Sequence, residues 1–413
     1  MLGRAQNLTP GFRLVLWRNL AELYDRALQD VDNAIMAYEV VRQLDTSRED
    51  EAQRLSALYL KSPKHREKAT EIAHELFSTG GSFVEEARKL KELYHAQSHF
   101  DGVFMYCNIL DGLGQATDDE YKMLAHLKQG VRAWPQRALG EDSWQTILLE
   151  DLHGPVGVLA AELARLAPDA FTQVPKKLGL KKKDFVSLDS ELYLAGILRR
   201  VHGTLGLPAP GLCIRKGSME PPHLAPSSPP ALVIGQNNAM TQSVDASMTR
   251  FLLAYQLSFM RPELFLTGLY PGEQLRELLM GLCVVYNRSL QGSEHAGVAR
   301  WASHFEKIPG EVLRALQDPA RRAYNHLLNP EGAARLARAA HLSAARAGLL
   351  LAGELAPALR GLQQVPATAP GLNPDERLAE LTRFAGSKEH LRLREKIGSG
   401  LDIKGKKSES RAN

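Results

Sequence analysis

The chain has 413 residues, 44% hydrophobic and 24% charged, a globular composition long enough for two or three cores and too apolar for a disordered chain. Its 51 lysines and arginines against 47 acidic residues leave a formal charge of +4, too slight a bias to make nucleic acid a partner of the whole protein. Cys107, Cys213 and Cys283 stand apart with no C-x-x-C pair, which argues against a disulfide framework or a cysteine zinc site and makes a reducing, cytoplasmic setting the expectation.

The opening residues, MLGRAQNLTPGFR, lack the apolar run of a signal peptide, and no uncharged apolar stretch approaches the roughly 18 residues of a membrane span. Internal repetition begins immediately after them. Leu20, Leu55 and Leu90 are 35 residues apart, and Tyr24, Tyr59 and Tyr94 keep the same interval. A second set runs Ala34, Ala69, Gly102, then Tyr38, Ala73, Tyr106, then Val41, Leu76, Ile109. Small residues at 34, 69 and 102 suit helices that cross closely, and the large ones fill the adjoining holes. The first unit, Trp17-x2-Leu20-Ala21-x2-Tyr24 followed by Ala34-x3-Tyr38, resembles the tetratricopeptide pattern, whose period is about 34 residues. A weaker fourth unit spans 118–134, and Gly80-Gly81 and Gly112-x-Gly114 punctuate the series. A plain helical bundle is the alternative reading.

The resemblance implies a concave groove for a protein or peptide partner, with Trp17, Tyr24, Tyr59, Tyr94 and Tyr106 as its candidate contacts. Residues 14–20 leave no room for a polar capping helix, so an apolar edge is expected there. Another chain, a second copy or further repeats upstream would cover it. His65, His74, His95 and His99 in this region read as surface or groove residues.

Residues 138–171 predict further helices, ending at Pro168. The basic stretch PKKLGLKKKD (175–184) reads as a solvated linker, or alternatively as a phosphate or nucleic-acid patch, without an aromatic stacking platform. An amphipathic helix is expected over 190–206 and a short strand within LGLPAPGLCIRKG. The proline-dense 217–230 is expected to be irregular, with ALVIG after it a short strand. The segment 250–266, RFLLAYQLSFMRPELFL, predicts one continuous helix.

That strand, loop and helix resemble the active-site region of gluzincin zinc metallopeptidases of the CAAX-prenyl-endopeptidase type, whose helix reads approximately LLGHELAHLRPEHF. The resemblance places the family's first zinc-ligand histidine on Tyr255, its catalytic glutamate on Gln256 and its second histidine on Phe259, while Leu252-Leu253, Leu257 and Arg261-Pro262-Glu263 keep the flanks. A later helix of the family carries the third ligand in a pattern like E-x-x-A-D-x-x-G-L. HLSAARAGLLLAGEL matches its frame with His341 at the glutamate and Ala345 at the aspartate, and Ala344, Gly348 and Leu349 keep the packing positions.

Zinc requires three lone-pair donors and an open coordination position. Phenylalanine offers none, a glutamine amide is no base at neutral pH, and His341 alone cannot hold a metal. No metal and no cofactor are therefore expected, and the rings at 255 and 259 are expected to fill the vacated volume. An ordinary buried helix remains the simpler alternative. Glu294, His295 and His304 lack the i, i+4 spacing of a helical metal site, and no G-x-S-x-G elbow or Walker loop occurs.

Helices are further expected over 273–287 and 298–305, and as an Ala- and Arg-rich hairpin over 319–359 broken near Asn329-Pro330. A last unit over 375–403 should dock through Leu378, Leu381, Phe384, Leu391, Leu393 and Ile397. The expected fold is mainly α: a helical-repeat solenoid over 1–137, a connector and basic linker over 138–189, an α-rich α+β pseudo-metallopeptidase-like domain with few short strands over 190–403, and a tail over 404–413. The expected function is a non-catalytic interaction scaffold with a peptidase-like second docking surface. An enzyme with an atypical site and a salt-sensitive nucleic-acid or lipid-surface binder are the alternatives.

Overall fold

The computed structural model describes residues 9–79, 82–238, 245–366 and 372–401. Gly80, Gly81 and the tail 404–413 lie outside the described residues. The protein is mainly helical, with 19 helices and one four-stranded sheet among the described residues, and no helix there is long and apolar enough to cross a membrane. Two compact units divide it: residues 1–131 with 385–391 and 400–413, and residues 132–384 with 392–399.

The first unit contains α1 (Pro10–Glu22), which runs into a π-helical turn (Leu23–Ala27), then α2 (Val31–Leu44), α3 (Glu49–Lys61), α4 (Arg66–Thr79), α5 (Phe83–Ala96), α6 (Phe100–Gly112) and α7 (Asp118–Lys128). Side-chain caps set several of the starts. Asp30 accepts from the Asn33 amide, Ser82 from Glu85, and Thr117 forms a reciprocal capping box with Glu120, satisfying amides that the first turn leaves unpaired. Each helix packs on the next in sequence, and the small residues sit where they touch. Ala34, Ala69 and Ala73 are fully buried, and a Cβ on Gly102 would lie 2.5 Å from the Tyr94 ring. Residues 385–391 complete this core from far along the chain: Tyr106 donates its hydroxyl hydrogen to the Gly386 carbonyl at 2.7 Å.

The second unit begins with α8 (Glu141–Ile147) and α9 (Pro155–Leu166), so residues read as a connector are built into it. Its sheet consists of β1 (Phe185–Val186), β2 (Gly211–Arg215), β3 (His223–Ala225) and β4 (Ala231–Gly235), ordered β1-β2-β4-β3, with α10 (Tyr193–Leu205) between β1 and β2. β2 and β4 are parallel, and both outer strands are antiparallel to their neighbours. The stretch expected to be irregular thus holds a strand. Prolines flank β3 without entering it, and pairing on one side only asks for few backbone donors. Cys213, Ala225, Ala231 and Val233 form one face, packed against Leu178, Leu180 and Phe185. The basic stretch is therefore docked on the sheet through its apolar residues and is not a free linker.

Helices α11 (Ala246–Ser258), α12 (Pro262–Leu269), α13 (Gly272–Tyr286), α14 (Ala296–Phe305), α15 (Gly310–Leu328), α16 (Pro330–Ala352) and α17 (Leu355–Gln364) follow, and then α18 (Pro374–Ala385) and α19 (Lys388–Ile397). The continuous helix expected over 250–266 is two. Pro262 opens α12 at its first position and Arg261 before it is extended (φ −75°, ψ 139°), as the ring of a following proline demands. The break at Asn329 follows the same logic, with its side chain accepting from the Glu331 amide and Pro330 at the first helical position. The helix before it starts nine residues earlier than expected, with Pro319 inside it.

Candidate functional site

α11 packs along α16, which brings together residues 86 positions apart: the Tyr255 hydroxyl is hydrogen-bonded to Nδ1 of His341. Phe259 completes a ring cluster, its centroid 5.6 Å from Tyr255 and 5.2 Å from His341, both in tilted or edge-on arrangements. The cluster is tightly supported. A Cβ on Gly268 would stand 2.8 Å from the Phe259 ring. Phe251, stacked on Tyr255 at 6.3 Å, is approached as closely by Gly348 and Gly361. Ala344 and Ala345 are buried one turn along α16 from His341. A residue with a branched side chain at Gly348 or Gly361 would push α16 or α17 off Phe251.

Burial, seconded by the nearby Arg377 guanidinium, lowers the His341 pKa to about 4, and burial pushes the Tyr255 phenol well above its ordinary range. Arg377 itself is held by the carbonyls of Val365 and Leu362 at 3.1 and 2.9 Å. At neutral pH the pair is a phenol and a neutral imidazole, neither poised to exchange a proton near pH 7. Among the described residues no three His, Cys, Asp or Glu side chains are grouped to hold a metal, and His304 instead packs edge-on against Trp301.

A cleft of about 300 Å³ opens directly over these rings. Leu224 and Pro226 at β3 form one wall, Phe265 and Leu269 from α12 another, and Gln256 lies half-buried in the floor. The extended turn at Arg261 sets the position of α12 against α11. Its guanidinium pairs with Glu263 at 3.0 Å and Glu141 at 2.9 Å and lies 4.8 Å over the Trp144 ring, so Arg261-Pro262-Glu263 acts as a brace. Of the positions singled out by the motif, Tyr255, Gln256, Phe259 and His341 line the cleft and Ala345 does not. The motif-based reading missed β3, because a three-residue strand amid prolines has no periodicity to show.

In the first unit Trp17 and Tyr24 are half-buried, but Tyr59, Tyr94 and Tyr106 are interior and are not groove contacts. Tyr59 donates its hydroxyl hydrogen to Glu39, and Tyr94 and Tyr106 stack at 5.8 Å. His74 is not a surface residue either. It is buried beside both tyrosines, with Nε2 2.8 Å from the Tyr94 hydroxyl, and burial, aided by Lys388, lowers its pKa to about 3. The 35-residue spacing identified these positions as packing sites but not which side they face. Comparison with known proteins adds no relative: no family model, no curated protein and no solved structure matches this chain.

Proposed function

We propose that the protein is a non-catalytic interaction scaffold in which a tetratricopeptide-like helical array takes one segment of a protein partner and a degenerate gluzincin-like unit offers its cleft as a second docking surface. The observation that carries this reading is the ring cluster of Tyr255, Phe259 and His341. The three positions that the peptidase resemblance assigns to zinc ligands converge in space, and they are occupied by two aromatic rings and a neutral imidazole. Gln256, at the position of the general base, cannot accept a proton from water. The unit keeps a binding cleft and lacks the donors for the reaction.

An extended peptide suits the cleft. β3 pairs with β4 on one side, and Gln173 bridges the chain just past it at Pro226 and Ser228; the edge left to a peptide backbone is the three residues of β3, and the apolar walls accept alternate side chains. On the array, Tyr24 and Trp17 remain candidate contacts. The exposed residues Phe12, Val15 and Leu16 of α1, with Leu23 of the π-helical turn after it, form the apolar edge that a second copy or further repeats would cover. Three free, buried thiols suit a cytoplasmic setting.

Selection of peptides from a displayed library on the full chain tests the reading. Bound peptides should be recovered intact, and Leu224→Lys in the cleft wall should abolish the capture of the cleft-directed class. Stoichiometric zinc in the purified protein, or cleavage of the captured peptides, would replace the scaffold by a peptidase.

A further inference from the structure

The segment docked on the sheet carries five lysines, Lys176, Lys177, Lys181, Lys182 and Lys183, all exposed. No ion pair joins any of them to a carboxylate among the described residues, whereas Lys68, Lys89 and Lys91 in the first unit each have one. The backbone beneath them is fixed. It folds into two short 3-10 turns, Pro175–Leu178 and Lys182–Asp184, joined through Gly179 at φ 72°. The Leu180 amide donates to the Pro175 carbonyl at 3.0 Å and the Asp184 amide to Lys181 at 2.9 Å, while Leu178, Leu180 and Phe185 anchor into the sheet face. Like charges held this close repel one another, and an apolar anchor keeps them there; an opposing charge would relieve the repulsion.

The sheet register extends the patch. Phe185 pairs with Cys213 in antiparallel sense, so the turn Lys182–Asp184 runs beside the end of β2. Arg215 there is paired with Glu220 at 2.9 Å, and exposed Lys216 and then Met219 follow, the latter 74% exposed. We propose that this face, Lys176 to Lys183 with Lys216 and the projecting Met219, binds an anionic lipid surface. Ammonium groups are point charges with no fixed fork geometry, which suits a fluid layer of headgroups whose anions arrange around them. A protruding thioether enters the layer at low cost. The segment has no exposed ring on which bases would stack and no helix to enter a groove, which sets nucleic acid behind lipid.

Each lysine close to an anionic leaflet strengthens binding about fivefold. Sedimentation of the full chain with phosphatidylcholine vesicles, with and without about a third phosphatidylserine, tests this. Binding to the anionic vesicles alone is expected, weakening steeply with added salt. Lys181→Gln, Lys182→Gln and Lys183→Gln together should weaken it by about a hundredfold, with an unchanged melting curve showing that the variant is folded. Met219→Ser should weaken it severalfold without changing the salt dependence. Failure to bind anionic vesicles overturns the proposal, as does binding that the triple variant leaves intact. So does displacement from the vesicles by single-stranded RNA or duplex DNA at matched phosphate concentration, which would make nucleic acid the ligand.

Discussion

Tyr255 and His341 meet through a hydrogen bond between a buried phenol and a half-buried imidazole, one from each of two helices packed along their length. Removing the imidazole strips the buried phenol of its partner, which costs about 1–3 kcal/mol, whereas removing the phenol leaves a half-buried imidazole and costs less. His341→Leu should destabilise the second unit by about that much in urea unfolding, and Tyr255→Phe by less. The double variant should lose less than the two together, because the coupling has already gone. Strict additivity would show that the two side chains contribute independently.

The same cluster allows a test of descent. Tyr255→His, Gln256→Glu, Phe259→His and His341→Glu together restore the donors that the resemblance assigns. The exchange removes a Phe259 ring in contact with Gly268, a loss of roughly 3 kcal/mol for a buried ring of this size, moderated because histidine refills part of the space. The variant should melt lower than the parent, and added zinc should raise its melting temperature while leaving the parent unmoved. A parent whose melting temperature falls on chelation would reverse the assignment of the site.

Local pattern made the helices of the first unit legible, since small close-contact residues such as Ala69 recur at a fixed interval in the sequence. It could not tell groove from core. Tyr106 is buried with its hydroxyl satisfied by the carbonyl of Gly386, 280 residues downstream, and no periodicity encodes so distant a partner. Two motif fragments singled out Tyr255, Gln256, Phe259 and His341, which line the cleft, but nothing in them announced a cleft. Its walls were not legible either: β3 is short, and α12 depends on a break at Arg261 that Pro262 announces but a run of apolar residues masks. The lysine stretch read as a linker because charge dominates its composition, while Leu178 and Leu180, which decide its structure, are only two residues.

Close packing at Gly102 gives a stability test with an internal control. Alanine in place of a helical glycine gains up to about 1 kcal/mol of helix propensity. At Gly196 in α10 nothing lies within 4 Å of the added Cβ, so Gly196→Ala should stabilise by up to that amount. At Gly102 the Cβ would overlap the Tyr94 ring, itself stacked on Tyr106, and overpacking of this kind costs about 1–3 kcal/mol. Gly102→Ala should therefore destabilise the first unit despite the propensity gain. A stabilised Gly102→Ala variant would mean that the Tyr94 ring shifts freely, and that α5 and α6 are not held by that contact.

Acid should weaken both units, each through one histidine whose pKa the fold depresses. His74 is lowered to about 3 and His341 to about 4, against an unfolded value near 6.5. A histidine depressed on folding contributes stability that is fully present above the unfolded pKa. Below it the unfolded chain takes up a proton that the folded chain refuses. Stability then declines by about 1.4 kcal/mol per pH unit for each histidine, until pH reaches the folded value. The window therefore runs from about pH 6.5 down to about 4 for the second unit and about 3 for the first. Hydrogen exchange at pH 7 and pH 5, read separately on α4 and α16, should show lower protection in both at the acid pH after correction for intrinsic rates. His341→Gln should flatten the response of α16 and leave that of α4, and His74→Gln should do the reverse. If either substitution leaves its own helix as acid-sensitive as before, that sensitivity comes from carboxylates elsewhere, and the histidine is not held neutral by its surroundings.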